Sequence, residues 1–171
     1  MTEKRTLACL FMVLLMMLLV INHAVAKEEK KNPNSFSLYQ SEYYSLKYPR
    51  AWEVRKGIAH TEFNLSDGKS GLIVFAFKVS LTTQDYTEAL VNKFGRQALI
   101  SSEISVLDHY PAPQLTYLRA DEKETYKLLR IYTVEEGILY DLVFTFKEYE
   151  FRQYRGIINK IINSFRIKTV S

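Results

Sequence analysis

Apolar and polar residues alternate along much of this chain, and where the alternation stops the period changes. In "YSLKYPRAW", Tyr44, Leu46 and Tyr48 alternate with Ser45 and Lys47, the pattern of a strand with one buried face. Pro49 cannot donate to a ladder, so the strand ends there, and Trp52 and Val54 begin a second short strand in "AWEVRK". In "IAHTEFNLS", Ala59, Thr61, Phe63 and Leu65 share one side of a third. Ser66 to Gly71 is a turn cluster, and "LIVFAFKV", Leu72 to Val79, is apolar on both faces nearly to its end. That run predicts a central strand covered from both sides.

The period then lengthens. In "TTQDYTEALVNKFGRQAL", Tyr86, Leu90, Phe94 and Ala98 recur at helical spacing. Asp85, followed three positions on by Glu88, resembles a capping box, while Gly95 weakens the helix. "SEISVLDHYPAPQLTYLRA" predicts two short strands broken at "HYPAP", and Asp121 to Glu124 a charged turn. "TYKLLRIYTV" and "ILYDLVFTF", joined at Gly137, predict a hairpin with Ile138, Tyr140, Leu142, Phe144 and Phe146 on one face. Phe151, Tyr154, Ile158, Ile161 and Phe165, backed by Ile157 and Ile162, stripe a closing helix whose other side carries Arg152, Arg155, Asn159 and Asn163. Such a stripe must lie on something apolar, and the hairpin face is the obvious partner. Strands, a helix, more strands and a closing helix predict an α+β layered domain with the two helices on opposite faces.

Before Phe36 the chain reads differently. Lys4 and Arg5 precede Leu7 to Ile21, an unbroken apolar run of 15 residues, and "HAVAK" follows with small residues at Ala24 and Ala26. This three-part pattern predicts a signal peptide over residues 1–26, cut between Ala26 and Lys27. A spanning helix needs roughly 20 apolar residues, so the run is short for an anchor. An uncleaved leader acting as a membrane tether is the alternative. "KEEKKNPNS", residues 27–35, is charged and aperiodic and reads as a flexible tether to a domain over 36–168.

Composition removes several chemistries. Cys9 is the only cysteine and lies in the leader, so the mature chain has no disulfide, no thiol nucleophile and no thiolate metal site. The chain's net charge is +4, of which Lys4 and Arg5 against Glu3 place one unit in the leader. The remainder is too mild for a nucleic-acid footprint but permits attraction to anionic surfaces. His60 and His109 are the only histidines after the leader, and they sit in different elements. A zinc site needs three or four ligands, so they read as strand and loop residues. Neither a GxSxG elbow, a GxGxxG loop nor a P-loop is present.

Asp121, Glu122 and Glu124 around Lys123, and Glu135 and Glu136 before Gly137, lack a calcium-loop register and read as solvated hairpin tips. Asp141, on the outer face of its strand, needs a cationic partner if a helix covers it, either Arg130 or Lys127. Asn64-Leu65-Ser66 matches the glycosylation acceptor pattern. Tyr39, Tyr43, Tyr110, Tyr117 and Tyr149 do not all fit the core stripes and invite a binding-cleft reading, although tyrosine commonly lines a half-buried sheet and the sheet-lining reading is the favoured one. No residue is read as catalytic, cofactor-binding or metal-binding; the site residues singled out are Ala24, Ala26 and Lys27 at the cleavage point.

"YSLKYPRAWEV" resembles the opening of PsbP-like domains, and "GILYDLVFTFKEYEFRQYRGIINKIINSFRI", closing on Ile161, Ile162, Ser164 and Phe165, resembles their ending. "HYPAP" stands where the family often has a Gly-Pro-Ala turn, without the glycine. The resemblance covers Phe36 to Lys168. It implies a three-layer α/β/α sandwich around an antiparallel sheet and no enzymatic activity. The family includes extrinsic subunits of photosystem II, exported proteins of the DcrB kind, a nuclear import factor that binds the Ran GTPase, and chaperones for secreted toxins. The expectation is therefore an exported accessory or protein-binding domain, periplasmic or extracellular. Its partner would be another envelope or secreted protein, with no cofactor, no nucleic acid and no membrane span after cleavage. A secreted hydrolase with a non-local active site is the rival.

Overall fold

The computed structural model describes residues 35–95 and 98–168, and every element below belongs to the unit beginning at Phe36. The leader, Ala24, Ala26 and Lys27 at its cut, and the tether up to residue 34 lie outside the described residues. The elements run β1 Phe36–Gln40, β2 Tyr44–Pro49, β3 Glu53–Lys56, β4 His60–Asn64, β5 Gly71–Lys78, α1 Thr83–Phe94, β6 Leu99–Leu107, β7 Tyr110–Ala120, β8 Thr125–Glu135, β9 Ile138–Lys147, α2 Phe151–Ser164 and β10 Arg166–Ile167. The class is α+β. Seven strands form one sheet in the order β3-β4-β5-β9-β8-β7-β6, and β1-β2-β10 form a smaller one. Every pairing in both sheets is antiparallel.

β9 is the middle strand of the large sheet, and its first seven residues are buried without a break. Tyr140, Leu142, Phe144 and Phe146 face the main core with Leu46, Phe63, Leu72 and the α2 residues Ile158, Ile161 and Ile162. Fully burying an aliphatic or aromatic side chain of this size contributes roughly 1.5–3 kcal/mol, so this side supplies most of the stability. Phe165 is buried with them, stacked on Tyr44 at 5.3 Å, and half-buried Phe151 meets Phe146 edge-on at 6.2 Å. The corner after β2 is a turn in which the Trp52 N–H donates to the Pro49 carbonyl at 2.9 Å. It drops the Trp52 ring against Phe146 at 6.1 Å. On the other face, α1 lays Leu90 on Leu115, Tyr117 and Tyr132, a smaller cluster.

Several expectations need correction. The strand covered on both sides is β9; on β5, Ile73 and Phe75 are only half buried and Phe77 is exposed, because α1 sits over β8 instead. The capping box lies three residues earlier than Asp85–Glu88, at Thr82–Asp85. The Asp85 N–H donates to Thr82 Oγ1 at 3.2 Å, and the Thr82 N–H donates to Asp85 Oδ2 at 2.8 Å. α1 ends at Phe94, with Gly95 at φ 74°, so Ala98 is not helical. The segment around "HYPAP" is two long strands, β6 and β7, turning only at Asp108 and His109. Pro111 and Pro113 lie inside β7 because its ladder with β8 begins only at Gln114, so no donor is missed there. β1 and β10 are additional strands. Among the described residues, no helix is long and apolar enough to cross a membrane.

Candidate functional site

A hollow of about 220 Å³ opens between the β1–β2 turn, the β3–β4 turn and β5. Its chemistry comes chiefly from Tyr39, Tyr43, Tyr44, Lys56, His60 and Thr61. The β1–β2 turn is held by Ser41, whose N–H donates to the Tyr44 carbonyl at 2.8 Å while its Oγ accepts the Tyr44 N–H at 3.0 Å. The end of the chain straps it: the Lys168 N–H donates to the Tyr43 carbonyl and its Nζ to the Ser41 carbonyl at 2.6 Å. In the opposing turn, the His60 ring packs closely over Gly57. A Cβ there would sit 2.5 Å from His60 Cε1. The imidazole packs in that space and its Nε2 lies 3.3 Å from Glu62 Oε1. Ile58, at the tip of the turn, is fully exposed.

The Tyr39 and Thr61 hydroxyls are hydrogen-bonded at 3.1 Å. Beside them the Tyr44 hydroxyl is buried without a hydrogen bond of its own, the neighbouring Thr61 oxygen being engaged by Tyr39. Burial pushes the Tyr44 phenol well above its usual range, so it stays a neutral donor. The site thus offers ring faces and neutral hydroxyls, the chemistry of recognition.

Of the five tyrosines singled out in the sequence, Tyr39 and Tyr43 line this hollow. Tyr110 opens β7 with its ring 4.2 Å from the His109 imidazole. Tyr149 is exposed beside Lys147. Tyr117 is a core residue under α1, packed with Leu90, Leu115 and Tyr132, as a tyrosine lining the sheet would be. The acidic clusters are turn residues. Asp121 accepts the Lys123 and Glu124 N–H groups at 2.9 Å each, which hold its carboxyl below the usual range, and Glu124 pairs with Lys147 at 2.8 Å. Asn64 lies in β4 and donates its side-chain amide to Glu62 at 3.0 Å. Among the described residues no three His, Asp or Glu side chains converge as metal ligands do.

Asp141 does have a cationic partner beneath α1, and it is Arg130. The Arg130 Nε donates to both carboxylate oxygens at 2.9 Å, and its Nη2 donates to Oδ2 at 2.6 Å. The hydroxyl of Tyr86, expected only as part of the apolar stripe of α1, donates to the same oxygen at 2.6 Å. Burial works against the Arg130 charge, yet the Asp141 hydrogen bonds and charge more than offset it and hold the guanidinium above its ordinary value. Lys127 belongs to the opposite face, 5.1 Å above the Phe151 ring.

No protein-family model and no curated protein sequence matches the chain. Its structure is similar to the solution structure of cyanobacterial PsbP (CyanoP) from Synechocystis, with a TM-score of 0.62 and 16% identity over 78% of this chain and 93% of that one. It is also similar to a crystal structure from Bacteroides thetaiotaomicron, with a TM-score of 0.58 and 13% identity over 81% of this chain and 50% of that one. LpqN of Mycobacterium tuberculosis, described as involved in cell envelope biogenesis, aligns with a TM-score of 0.48 and 12% identity over 81% and 87% of the two chains. At these identities the likeness is one of fold, and the fold is PsbP-like.

Proposed function

We propose that this chain is an exported accessory domain without catalytic activity, built as the three-layer α/β/α sandwich of the PsbP-like type. It works in the periplasm or outside the cell after cleavage between Ala26 and Lys27, and binds another envelope or secreted protein through the tyrosine-lined end. The observation that carries this reading is Ile58. Single exposed aliphatics are ordinary on a surface. Ile58, however, projects wholly into water on the rim of a hollow lined by Tyr39, Tyr43 and Tyr44. An apolar tip beside rigid amphipathic rings fits a protein-contact anchor.

Placing a photo-crosslinking residue at position 58 in the host tests it. One envelope protein should be captured, and Tyr43→Ala should reduce the yield at least fivefold. Capture that is unaffected by Tyr43→Ala, or a smear without a discrete adduct, refutes it. Turnover of any substrate in a panel of esters, phosphoesters and glycosides would favour the hydrolase instead. The amino-terminal residue of the protein recovered from cells decides between a cleaved leader, beginning at Lys27, and a retained tether, beginning at Met1.

A further inference from the structure

On the side away from the tyrosines' hydroxyl cluster, a second and larger groove of about 650 Å³ runs between β1, β2 and the end of α2. Its walls carry Lys47, Lys160 and Arg166 together with Phe36 and Leu38, and no acidic residue lines it. Leu38 is 57% exposed. Lys160 lies 5.5 Å above the Phe36 ring. From Lys160 the positive face continues along the outer side of α2 through Arg155 and Arg152, and the helix contains no acidic residue. Lys47, Arg152, Arg155 and Lys160 form no ion pair among the described residues.

These cations do nothing for the helix itself. A helix N-terminus carries partial positive charge and favours Asp or Glu in its first turn. The first turn of α2 holds Arg152 and no acidic residue, with Glu150 at the N-cap making no side-chain cap hydrogen bond. A local rule broken on an exposed face, at some expense in stability, marks a surface kept for something other than folding.

We propose that this face binds the surface of an anionic phospholipid bilayer. Lys47, Lys160 and Arg166 meet lipid phosphates while Leu38 enters the interfacial layer, and Arg152 and Arg155 extend the contact. Arg166 lies 3.8 Å from Asp108 and is partly compensated, but Lys47, Lys160, Arg152 and Arg155 carry charge without a counter-charge, which calls for an anionic ligand, and the exposed Leu38 calls for one with an apolar layer beneath its charges. This surface is separate from the hollow beside Ile58 and does not depend on it.

The test is co-sedimentation of the whole chain with vesicles of phosphatidylcholine alone or mixed with phosphatidylglycerol. Any retained apolar leader binds both, so the difference between the two reads the basic face. Each basic residue at such a surface changes partition about fivefold. Arg155→Glu with Lys160→Glu should therefore lower the anionic preference at least ~20-fold. Lys78→Glu with Lys123→Glu, the same charge change elsewhere, should lower it less than about threefold, since it sits outside the face. Circular dichroism melts confirm that both pairs fold. Equal binding to the two vesicles by the unaltered chain overturns the proposal. So does an equal loss in both double variants, which would reduce it to net charge. So does preferential binding of soluble polyglutamate with the same Arg155 and Lys160 dependence but no vesicle preference, which would assign the face to an acidic protein. Binding of glycerol phosphate in place of vesicles would assign it to a soluble phosphate ester and equally overturn it.

Discussion

Asp141 offers a decisive perturbation because its charge is wholly buried and fully matched. Its side chain is 0% exposed and that of Arg130 13%, and four hydrogen bonds from Arg130 and Tyr86 converge on the carboxylate. Asp141→Asn keeps the shape but leaves the Arg130 guanidinium buried against a neutral amide. Breaking one side of a buried pair costs about 3–5 kcal/mol. Replacing the whole polar set with apolar groups of similar size removes the charge and its desolvation together. The triple variant Asp141→Leu, Arg130→Met, Tyr86→Phe should therefore lie within about 1 kcal/mol of the unaltered protein. Urea unfolding reads both. With a slope near 2 kcal/mol per molar, Asp141→Asn should move the midpoint down by about 1.5 M or more. The triple variant should move it by less than about 0.5 M. A single variant that unfolds where the unaltered protein does, or a triple variant that falls as far as the single, would refute the account of Arg130 as a buried charge balanced chiefly by Asp141.

Burial pushes the Tyr117 and Tyr140 phenols up to about 12. Their folded values lie above the ordinary value near 10, so they favour folding fully below about pH 10. That contribution disappears as the pH climbs towards 12, so the urea midpoint should decline from about pH 10 upward. Phenolate absorbance should lag behind that of free tyrosine, and ionisation of all 12 tyrosines together near pH 10 in a still-folded chain would contradict this. Gly71 adopts φ 147°, and a Cβ there would lie 2.1 Å from the Phe63 carbonyl oxygen. Gly71→Ala should accordingly cost at least about 3 kcal/mol by denaturant titration. Gly68→Ala, at φ 66° in open space, should cost only about 1 kcal/mol. Thr82→Ala should cost about 1 kcal/mol as the loss of an N-cap, and Glu88→Ala less than ~0.5 kcal/mol; the reverse order would return the cap to Asp85.

Much of the large sheet was legible because its periods are clean. The β8–β9 hairpin shows how far such reading extends. Glu136 and Gly137 adopt φ 51° and 71°, a two-residue turn of the kind that fixes register, and Asp141 then falls opposite Tyr132. Even-numbered residues of β8 therefore share its face, which selects Arg130 over Lys127 by parity alone. Tyr86 could not be reached this way, because its meeting with Asp141 depends on where α1 crosses the sheet. β10 is two residues long and exists only because β2 lies beside it. β1 was missed because it is half exposed on both faces, so its alternation carries little burial signal. The tyrosine hollow draws on two turns, a strand and the Lys168 strap, and no local pattern announces such an assembly.

The two helices reach stability by opposite routes, and the contrast bears on where function lies. α1 has a capping box and Lys93 in its last turn, yet buries only Leu90. It is fixed on the sheet by pins. Thr83 Oγ1 accepts the Val134 N–H at 2.9 Å, the Tyr132 hydroxyl donates to Thr87 Oγ1 at 2.9 Å, and the Tyr86 hydroxyl donates to Asp141. Local and tertiary terms there agree. α2 lacks a side-chain cap, lacks a first-turn acid, and is carried by Ile158, Ile161 and Ile162 in the main core. A helix so firmly held by its apolar stripe can tolerate Arg152, Arg155 and Lys160 on its outer side. α1, marginal in its apolar contacts, could not. The basic face thus stands on the one helix whose packing leaves its outer residues free of structural duty, and that freedom is what a binding surface requires.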